Sequence, residues 1–325
     1  MSLGFLPEEG GALLNVTFYG VRGSTPCPCA ANQRYGGNTA CVVLEVPGAE
    51  PIVLDLGTGL RFWGETFPPD QPFQGSALVT HLHWDHVQGL PFFTPLHRDG
   101  ARLAIYGPSE PGLDLEGAFG TFMCPPYFPV GIADLAGDVT FHDVVDTEFA
   151  VGEAKVMARQ VPHVGLTNGY RIEWEGRSVA YVSDHQQPRD GGLEVADAVL
   201  ELCAGADLVI HDSQYTLDEF SEKAHWGHCT LDYAVHVAAE AGVRRLVLFH
   251  HDPTHDDAAL DELTAYARSL PAAAGLFVQG VQVARQRGSH RLARLAGHGP
   301  PVTSVARRPS RSRPSARPPD PGEPP

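Results

Sequence analysis

The sequence predicts an α/β (α+β) protein, a four-layer αββα sandwich in which two sheets pack together beneath outer helices. Short runs of β-branched and apolar residues, separated by Gly and Pro, dominate the first half of the chain. In the second half, strands alternate with segments of helical periodicity. The 325 residues are 43% hydrophobic and 19% charged, a composition that can fill the core of one large domain.

Apolar runs bounded by turn residues predict the individual elements. Strands are expected at residues 16–19, 41–46, 52–56, 77–80, 103–106, 156–161, 169–174, 178–182, 208–210, 246–249 and 275–278. Helices are expected at residues 193–204, 231–241 and 257–269. Thr230 is placed to cap the second helix, and Gly205 and Gly242 are placed to end the first and second.

The chain is expected to hold one folded domain. We predict an N-terminal lead at residues 1–14, the domain at 15–298 and a disordered Pro- and Arg-rich tail at 299–325. The lead has no basic residue before its apolar stretch, unlike a signal peptide. The sequence also contains no run of about 18 apolar residues, the length that a membrane-spanning helix needs. Six scattered cysteines suit reduced thiols, so a cytoplasmic location is expected.

The charge of the chain bears on its partners. A net charge of −16 repels phosphates outside any local site, so extended nucleic acid is not favoured as a partner. A small molecule is favoured instead, and the sequence leaves a homodimer open. Residues 285–325 carry nine arginines against two acids. A weak polyanion-binding arm is therefore the alternative to a solvated tail.

One short segment contains four residues of the types that bind metal ions. His81, His83, Asp85 and His86 lie within six residues, directly after a predicted strand. Side chains two apart on an extended segment project to one face, so His81 and His83 can bind the same metal ion. Asp85 and His86 lie where the chain turns and can reach a second ion nearby. Four such residues buried without a metal would be costly, so the segment predicts a metal site.

Further candidate ligands follow other predicted strands. His163 comes after the run 156–161, Asp184 after 178–182, and His250 after 246–249. Polar residues that come directly off apolar strands lie at the rim of a sheet, where sites usually form. His251 could exchange roles with its neighbour, but His250 is preferred because it directly continues the strand.

These seven residues together resemble the metallo-β-lactamase superfamily over roughly residues 15–265. The resemblance is closest to the phosphodiesterase branch, which includes ribonuclease Z and small phosphodiester hydrolases. It implies two divalent ions, with zinc preferred and manganese or iron as alternatives. It also implies that Asp184 and a hydroxide bridge the two ions. The implied ligand sets are His81, His83 and His163 for one ion, and Asp85, His86 and His250 for the other.

A second segment also resembles ribonuclease Z. Residues 205–212 are followed by His228, Cys229 and Thr230, the last of which begins a predicted helix. The resemblance implies that Asp212 orients His228 and that His228 is the general acid. The family has Glu where this chain has Asp212, one methylene shorter, which leaves direct contact open. The alternative for His228 is a helix-entry residue without a catalytic role.

Three residues nearer the N-terminus have two interpretations each. The segment 55–59 resembles the family's strand-end loop, which implies that Asp55 fixes the tautomer of a ligand histidine. A plain turn aspartate is the alternative. Arg22 and Arg34 lie in segments that also resemble this group of hydrolases. They are candidates for phosphate contacts or for surface salt bridges.

The resemblance implies a hydrolase that cleaves a cyclic nucleotide or another small phosphodiester by attack of a metal-bridging hydroxide. Asp85, while ligating, would also aim that hydroxide. A thioester hydrolase of the glyoxalase II type and a ribonuclease Z-like RNA endonuclease are the alternatives. Only 20 residues separate His163 from Asp184, where ribonuclease Z usually carries its tRNA-binding arm. The small substrate is therefore preferred.

Overall fold

Two β-sheets form the centre of the computed structural model, which describes residues 2–5 and 14–280. Each sheet has seven strands within those residues. The first has the spatial order β1 (Ser2–Phe5), β2 (Leu14–Gly20), β3 (Cys41–Glu45), β4 (Ile52–Leu54), β5 (Gln74–Leu78), β6 (Arg102–Gly107) and β7 (Asp138–Asp143). The second has the order β14 (Phe277–Gly280), β13 (Arg245–Phe249), β12 (Leu208–Asp212), β11 (Arg177–Val182), β10 (Asn168–Trp174), β9 (Ala154–Gln160) and β8 (Thr147–Val151).

Both faces of the inner strands are buried, which explains their continuous apolar sequences. Val42 and Leu44 of β3 share one buried cluster with Leu208 and Ile210 of β12, so this cluster joins the two sheets. The residue between the first pair, Val43, belongs to a second cluster on the outer face of its sheet. Alternation along a strand thus fills two separate layers of the core.

Helices cover the outer faces of both sheets. They are α1 (Gly59–Gly64), α2 (Trp84–Val87), α3 (Leu115–Phe122), α4 (Asp197–Cys203), α5 (Leu217–Lys223), α6 (Leu231–Glu240) and α7 (Asp257–Ser269). Trp63 of α1 and Phe119 of α3 pack in the outer cluster of the first sheet. Leu202 of α4 and Val235 of α6 pack on the second sheet. The predicted αββα sandwich is therefore confirmed, and none of the helices in residues 14–280 is long and apolar enough to cross a bilayer.

Strand direction places the candidate site. Strands β4 and β5 are parallel, as are β11, β12 and β13. Strand β9 runs in the direction of β11, because both are antiparallel to β10. The carboxyl ends of parallel strands share one edge of a sheet, so the segments that follow these strands can meet there.

The predicted elements are largely present, and the differences have physical causes. Helix α7 has the predicted bounds, whereas the helix predicted at 193–204 begins only at Asp197. Strands β7 and β8 were missed because they are edge strands with partly exposed residues, and neither contains a long apolar run. Residues 2–5, placed in the N-terminal lead, form an edge strand paired with β2. The predicted tail and the predicted domain end at residue 298 lie outside the described residues.

Candidate metal centre

Seven side chains predicted as metal ligands converge at the shared edge of the strands. Their potential ligand atoms form overlapping groups in which all atoms lie within 4.8 Å of one another. The seven are His81, His83, Asp85, His86, His163, Asp184 and His250. They come from the segments after β5, β9, β11 and β13, so residues far apart in sequence meet in one place.

Asp184 lies between two groups of ligands. Its Oδ1 is 3.9 Å from His81 Nε2 and 3.7 Å from His163 Nε2. Its Oδ2 is 3.2 Å from His86 Nε2 and 3.5 Å from His250 Nε2. One carboxylate oxygen therefore faces each group, which is the arrangement that a bridging ligand requires.

The first group, here called the open triad, consists of His81, His83 and His163. His163 Nε2 lies 3.4 Å from His83 Nδ1, and the ring centroids of His81 and His83 are 4.3 Å apart. His83 is exposed, whereas His81 is 2% exposed. The triad thus has one ligand in contact with solvent.

The second group, here called the buried triad, consists of Asp85, His86 and His250. Asp85 Oδ2 lies 3.2 Å from His86 Nε2 and 3.1 Å from His250 Nε2. The two histidine Nε2 atoms are 3.2 Å apart. None of the three residues is more than 5% exposed.

The residues present fit a pair of divalent metal ions. His81 Nε2 and Asp184 Oδ2 are buried and have no hydrogen-bond partner among the described residues, although His86 Nε2 lies 3.2 Å from that oxygen. An unpaired polar atom in a buried position is costly, and a bound cation would satisfy both atoms. Imidazole nitrogens combined with carboxylates are a donor set that suits zinc, manganese or iron.

The two triads differ in their electrostatics. Burial lowers the pKa of His81 well below its usual value and lowers the pKa of His163 to about 4, so both rings stay neutral near pH 7. Burial opposes charge on His86 as well, but Asp184, Asp85 and Asp55 together raise the pKa of His86 well above its usual value. The carboxylates around the buried triad thus favour positive charge there, and a metal cation could supply that charge.

His86 is held by a chain of buried hydrogen bonds. Its Nδ1 lies 2.7 Å from Asp55 Oδ2. The same carboxylate accepts hydrogen bonds from Tyr181 Oη at 2.8 Å and from the backbone N–H of Thr80 at 2.8 Å. The contact that the resemblance implied for Asp55 is present, and it directs His86 Nε2 towards Asp85 and Asp184.

Two further hydrogen-bond contacts to candidate ligand histidines were not predicted from the sequence. The Nδ1 atom of His250 lies 2.8 Å from Gln214 Oε1, and the Nδ1 atom of His163 lies 2.6 Å from the Gly227 carbonyl oxygen. Gln214 stands two residues after Asp212, just past the end of β12, and this position is the signal that could have identified it. The Gly227 contact uses a backbone atom, so no side-chain motif could have revealed it.

Two glycines give the ligand rings their space. A Cβ at Gly23 would lie 2.5 Å from the His250 ring and 2.6 Å from Gln214 Oε1. A Cβ at Gly227 would lie 2.5 Å from the His163 ring, and the backbone there has φ of +97°. Any larger residue at either position would displace a candidate ligand.

Asp212 and His228 form a close pair beside the centre. The His228 Nδ1 atom lies 2.7 Å from Asp212 Oδ2, so the shorter side chain still reaches the ring directly. The same Nδ1 is 3.7 Å from Asp184 Oδ1. The His228 ring stacks on that of His250 at 5.0 Å. The carboxylate fixes the orientation of the ring and leaves Nε2 as the nitrogen that can exchange a proton.

Three further residues named from the sequence lie outside the two triads. Arg22 is fully buried, and its guanidinium donates to the carbonyl oxygens of Gly36, Asp252 and His255, so it makes neither of the predicted contacts. Arg34 forms the surface alternative, with Nη2 2.6 Å from Asp261 Oδ2. His251 is buried against Tyr35, apart from the triads. The preference for His250 therefore agrees with the geometry.

Comparison with known proteins agrees with the fold. A ribonuclease Z from Natronomonas pharaonis is 29% identical over 288 residues, which cover 73% of this chain and 86% of that protein. The metallo-β-lactamase fold protein YhfI from Bacillus subtilis matches with a TM-score of 0.62 at 18% identity, covering 83% of this chain and 96% of that one. A diphosphatase from the PhnP family matches with a TM-score of 0.60 at 21% identity and the same coverage. A family model described as "Beta-lactamase superfamily domain" matches residues 64–251, more than half of the chain, and the protein therefore belongs to this superfamily as a metal-dependent hydrolase.

Proposed function

We propose that the protein hydrolyses small phosphodiesters with two divalent metal ions held at the two triads. The observation that carries this proposal is the Asp212–His228 pair, which lies 3.7 Å from the shared Asp184. When a phosphodiester is cleaved, the departing alkoxide is a poor leaving group. A histidine beside the reacting centre can protonate it. The relatives named ribonuclease Z support a phosphoric ester as the substrate.

The open triad would hold one ion and the buried triad the other, with one oxygen of Asp184 facing each. When bound, such a pair supplies positive charge that neutralises the phosphoryl oxygens and makes water acidic enough to react near neutral pH. Zinc is the preferred metal for this donor set, with manganese or iron as alternatives.

The protein's own residues can position the attacking water and protonate the leaving group. Asp85 Oδ2 accepts a hydrogen bond from the Ser24 backbone N–H at 2.8 Å, which fixes its carboxylate in the buried triad. From that position the carboxylate can also accept a hydrogen bond from attacking water. His228, held by Asp212, can deliver the proton at Nε2 to the leaving oxygen.

A small substrate is preferred over RNA. The chain carries a net charge of −16, and only 20 residues separate His163 from Asp184. Long polyanions would meet repulsion beyond the centre, whereas a small phosphodiester needs only the centre itself. Cyclic nucleotides and short dinucleotides are the substrates that this reasoning favours.

The test compares substrates on metal-loaded protein. We expect hydrolysis of bis-p-nitrophenyl phosphate and of a thymidine dinucleotide. The variant His228→Asn should lose about 100-fold or more in kcat on the dinucleotide, whose alkoxide needs a proton, and far less on the nitrophenyl ester. His225→Asn, at an exposed position three residues earlier, is the matched control. Metal-replete protein that is inert on both esters but cleaves S-lactoylglutathione would instead establish a thioester hydrolase.

A further inference from the structure

A cavity of about 160 Å³ opens directly beside the open triad. His81 and His83 form part of its lining, and His81 Nε2 is the buried, unpartnered nitrogen described above. A group bound in this cavity would therefore lie beside the candidate metal centre. An engineered protein cavity of roughly 150 Å³ holds benzene, so this space takes about one six-membered ring.

The chemistry of the walls limits what can bind. Val164 and Leu166 supply apolar contact, while Ser109 and Glu110 supply an hydroxyl and a carboxylate. Among the described residues that line the cavity, Glu110 is the only acid, and none is a lysine or an arginine. A ring with hydroxyl groups could donate hydrogen bonds to Glu110, whereas a second phosphate beside Glu110 would meet its negative charge with no lysine or arginine among the described lining residues to offset it.

The cavity also indicates which half of the substrate it receives. Neither His228 nor Asp212 is among the described residues that line it. The leaving group must reach His228 to be protonated, so the group in the cavity is the one that stays on the phosphate. The proton donor and the cavity thus separate the two halves of a phosphodiester.

We infer that the cavity is a specificity subsite for a ring-sized, hydroxylated group of the phosphodiester, and that Glu110 rejects substrates with a second phosphate on that group. The inference rests on the proposed phosphodiesterase activity. Glu110 is exposed, and its backbone carbonyl accepts a hydrogen bond from the Leu113 N–H at 3.0 Å. A substitution at Glu110 therefore changes the side chain and leaves this turn in place.

Two chromogenic substrates with the same leaving group test the charge selection. Thymidine 5′-p-nitrophenyl phosphate carries a free 3′-hydroxyl, and thymidine 3′-phosphate 5′-p-nitrophenyl phosphate carries a second phosphate there. We expect wild-type protein to have the higher kcat/KM on the first. Glu110→Gln should shift the ratio of the two kcat/KM values towards the phosphorylated substrate by several-fold, and Glu110→Lys by about tenfold or more.

The control reproduces the charge change elsewhere. Glu153 is exposed in the turn before β9, and that strand extends roughly 20 Å towards the His163 end. This distance exceeds the screening length of about 8 Å at physiological salt. Glu153→Gln and Glu153→Lys should therefore keep the wild-type ratio. An equal shift in the Glu110 and Glu153 variants, or no shift in any of them while both substrates turn over, would overturn the inference.

A second variant tests occupancy of the cavity independently of charge. Ser109→Trp would fill the space with an indole ring. This variant should raise KM for the thymidine ester and so lower its kcat/KM about tenfold relative to that of methyl p-nitrophenyl phosphate. The methyl ester has no ring to place in the cavity. Equal losses on both esters would show that the cavity does not receive the retained group. Metal-loaded wild-type protein that cleaves none of these esters would refute the proposed function, and the subsite with it.

Discussion

The open and buried triads share Asp184 but differ in exposure and in support. In the buried triad, a carboxylate holds His86, an amide holds His250 and a backbone N–H holds Asp85. In the open triad, Thr80 Oγ1 lies 3.1 Å from His81 Nδ1 and a backbone carbonyl holds His163, but His83 is exposed. Hydrogen bonds to ligands raise metal affinity by fixing their orientation before the metal arrives. We therefore expect the buried triad to hold its ion more tightly, while the open triad faces the substrate cavity.

Backbone conformation sharpens the contrast. Within the described residues, five non-glycine residues have a positive φ, and three of them lie around the buried triad: Ser24, Asp55 and His250. Such left-handed backbone is uncommon outside glycine, although Asp and His adopt it more often than most residues, and it persists where surrounding contacts support it. Three of these uncommon conformations thus gather at the more strongly supported triad.

The largest effect is expected from a substitution of Asp184, the residue that the two triads share. Asp184→Asn replaces a carboxylate that faces both groups by a neutral amide that binds cations weakly. We expect metal content to fall from about two ions per chain to less than one, and kcat/KM on bis-p-nitrophenyl phosphate to fall at least about 1,000-fold. Inductively coupled plasma mass spectrometry and steady-state kinetics measure the two quantities. Asp70→Asn, in an exposed loop, is the matched control. Retention of two ions by Asp184→Asn would refute the bridging position.

Substitutions in one triad at a time compare how tightly each triad holds its metal ion. His83→Ala damages the open triad, and His250→Ala damages the buried triad. After dialysis against a moderate chelator, we expect His83→Ala to keep about one ion, because the supported triad is intact. His250→Ala should keep markedly less, because only the open triad remains. Metal analysis during the dialysis gives the order of loss. A higher metal content in His250→Ala than in His83→Ala would reverse the comparison.

A smaller effect is expected from the support of His86. Asp55→Asn keeps the size of the side chain but removes the negative charge 2.7 Å from His86 Nδ1. Loss of such a partner typically weakens metal binding about 10- to 100-fold. Calorimetric titration with zinc should show this weakening in the tighter of two binding steps. A change confined to the weaker step would assign the tight site to the open triad.

The smallest effect is expected at Gln214. Gln214→Leu removes the acceptor for His250 Nδ1, and we expect about a tenfold loss of affinity in the tighter step. Gln214→Glu retains an acceptor oxygen and should restore most of this affinity. The absorption spectrum of the cobalt-substituted protein reports ligand geometry directly and should change in Gln214→Leu. An unchanged spectrum and unchanged affinity would show that Gln214 does not position His250.

The sequence revealed the candidate ligands because each follows an apolar strand. His163, Asp184 and His250 come directly off such runs, and parallel strand ends share an edge, so their convergence could be predicted. The support around them could not be predicted in the same way. The Gly227 contact depends on loop geometry, and the reach of Asp212 to His228 depends on how closely the loop that carries His228 approaches the end of β12. Arg22 was expected to make a phosphate contact or a surface salt bridge, yet it is fully buried and donates to backbone carbonyl oxygens.

The proposed activity requires two cations, one in each triad, with Asp184 between them. A crystal structure of the zinc-loaded protein, with anomalous scattering measured at the zinc edge, tests this most directly. We predict two anomalous peaks: one among His81, His83 and His163, and one among Asp85, His86 and His250, each in contact with Asp184. A single peak, or peaks away from these side chains, would contradict the account.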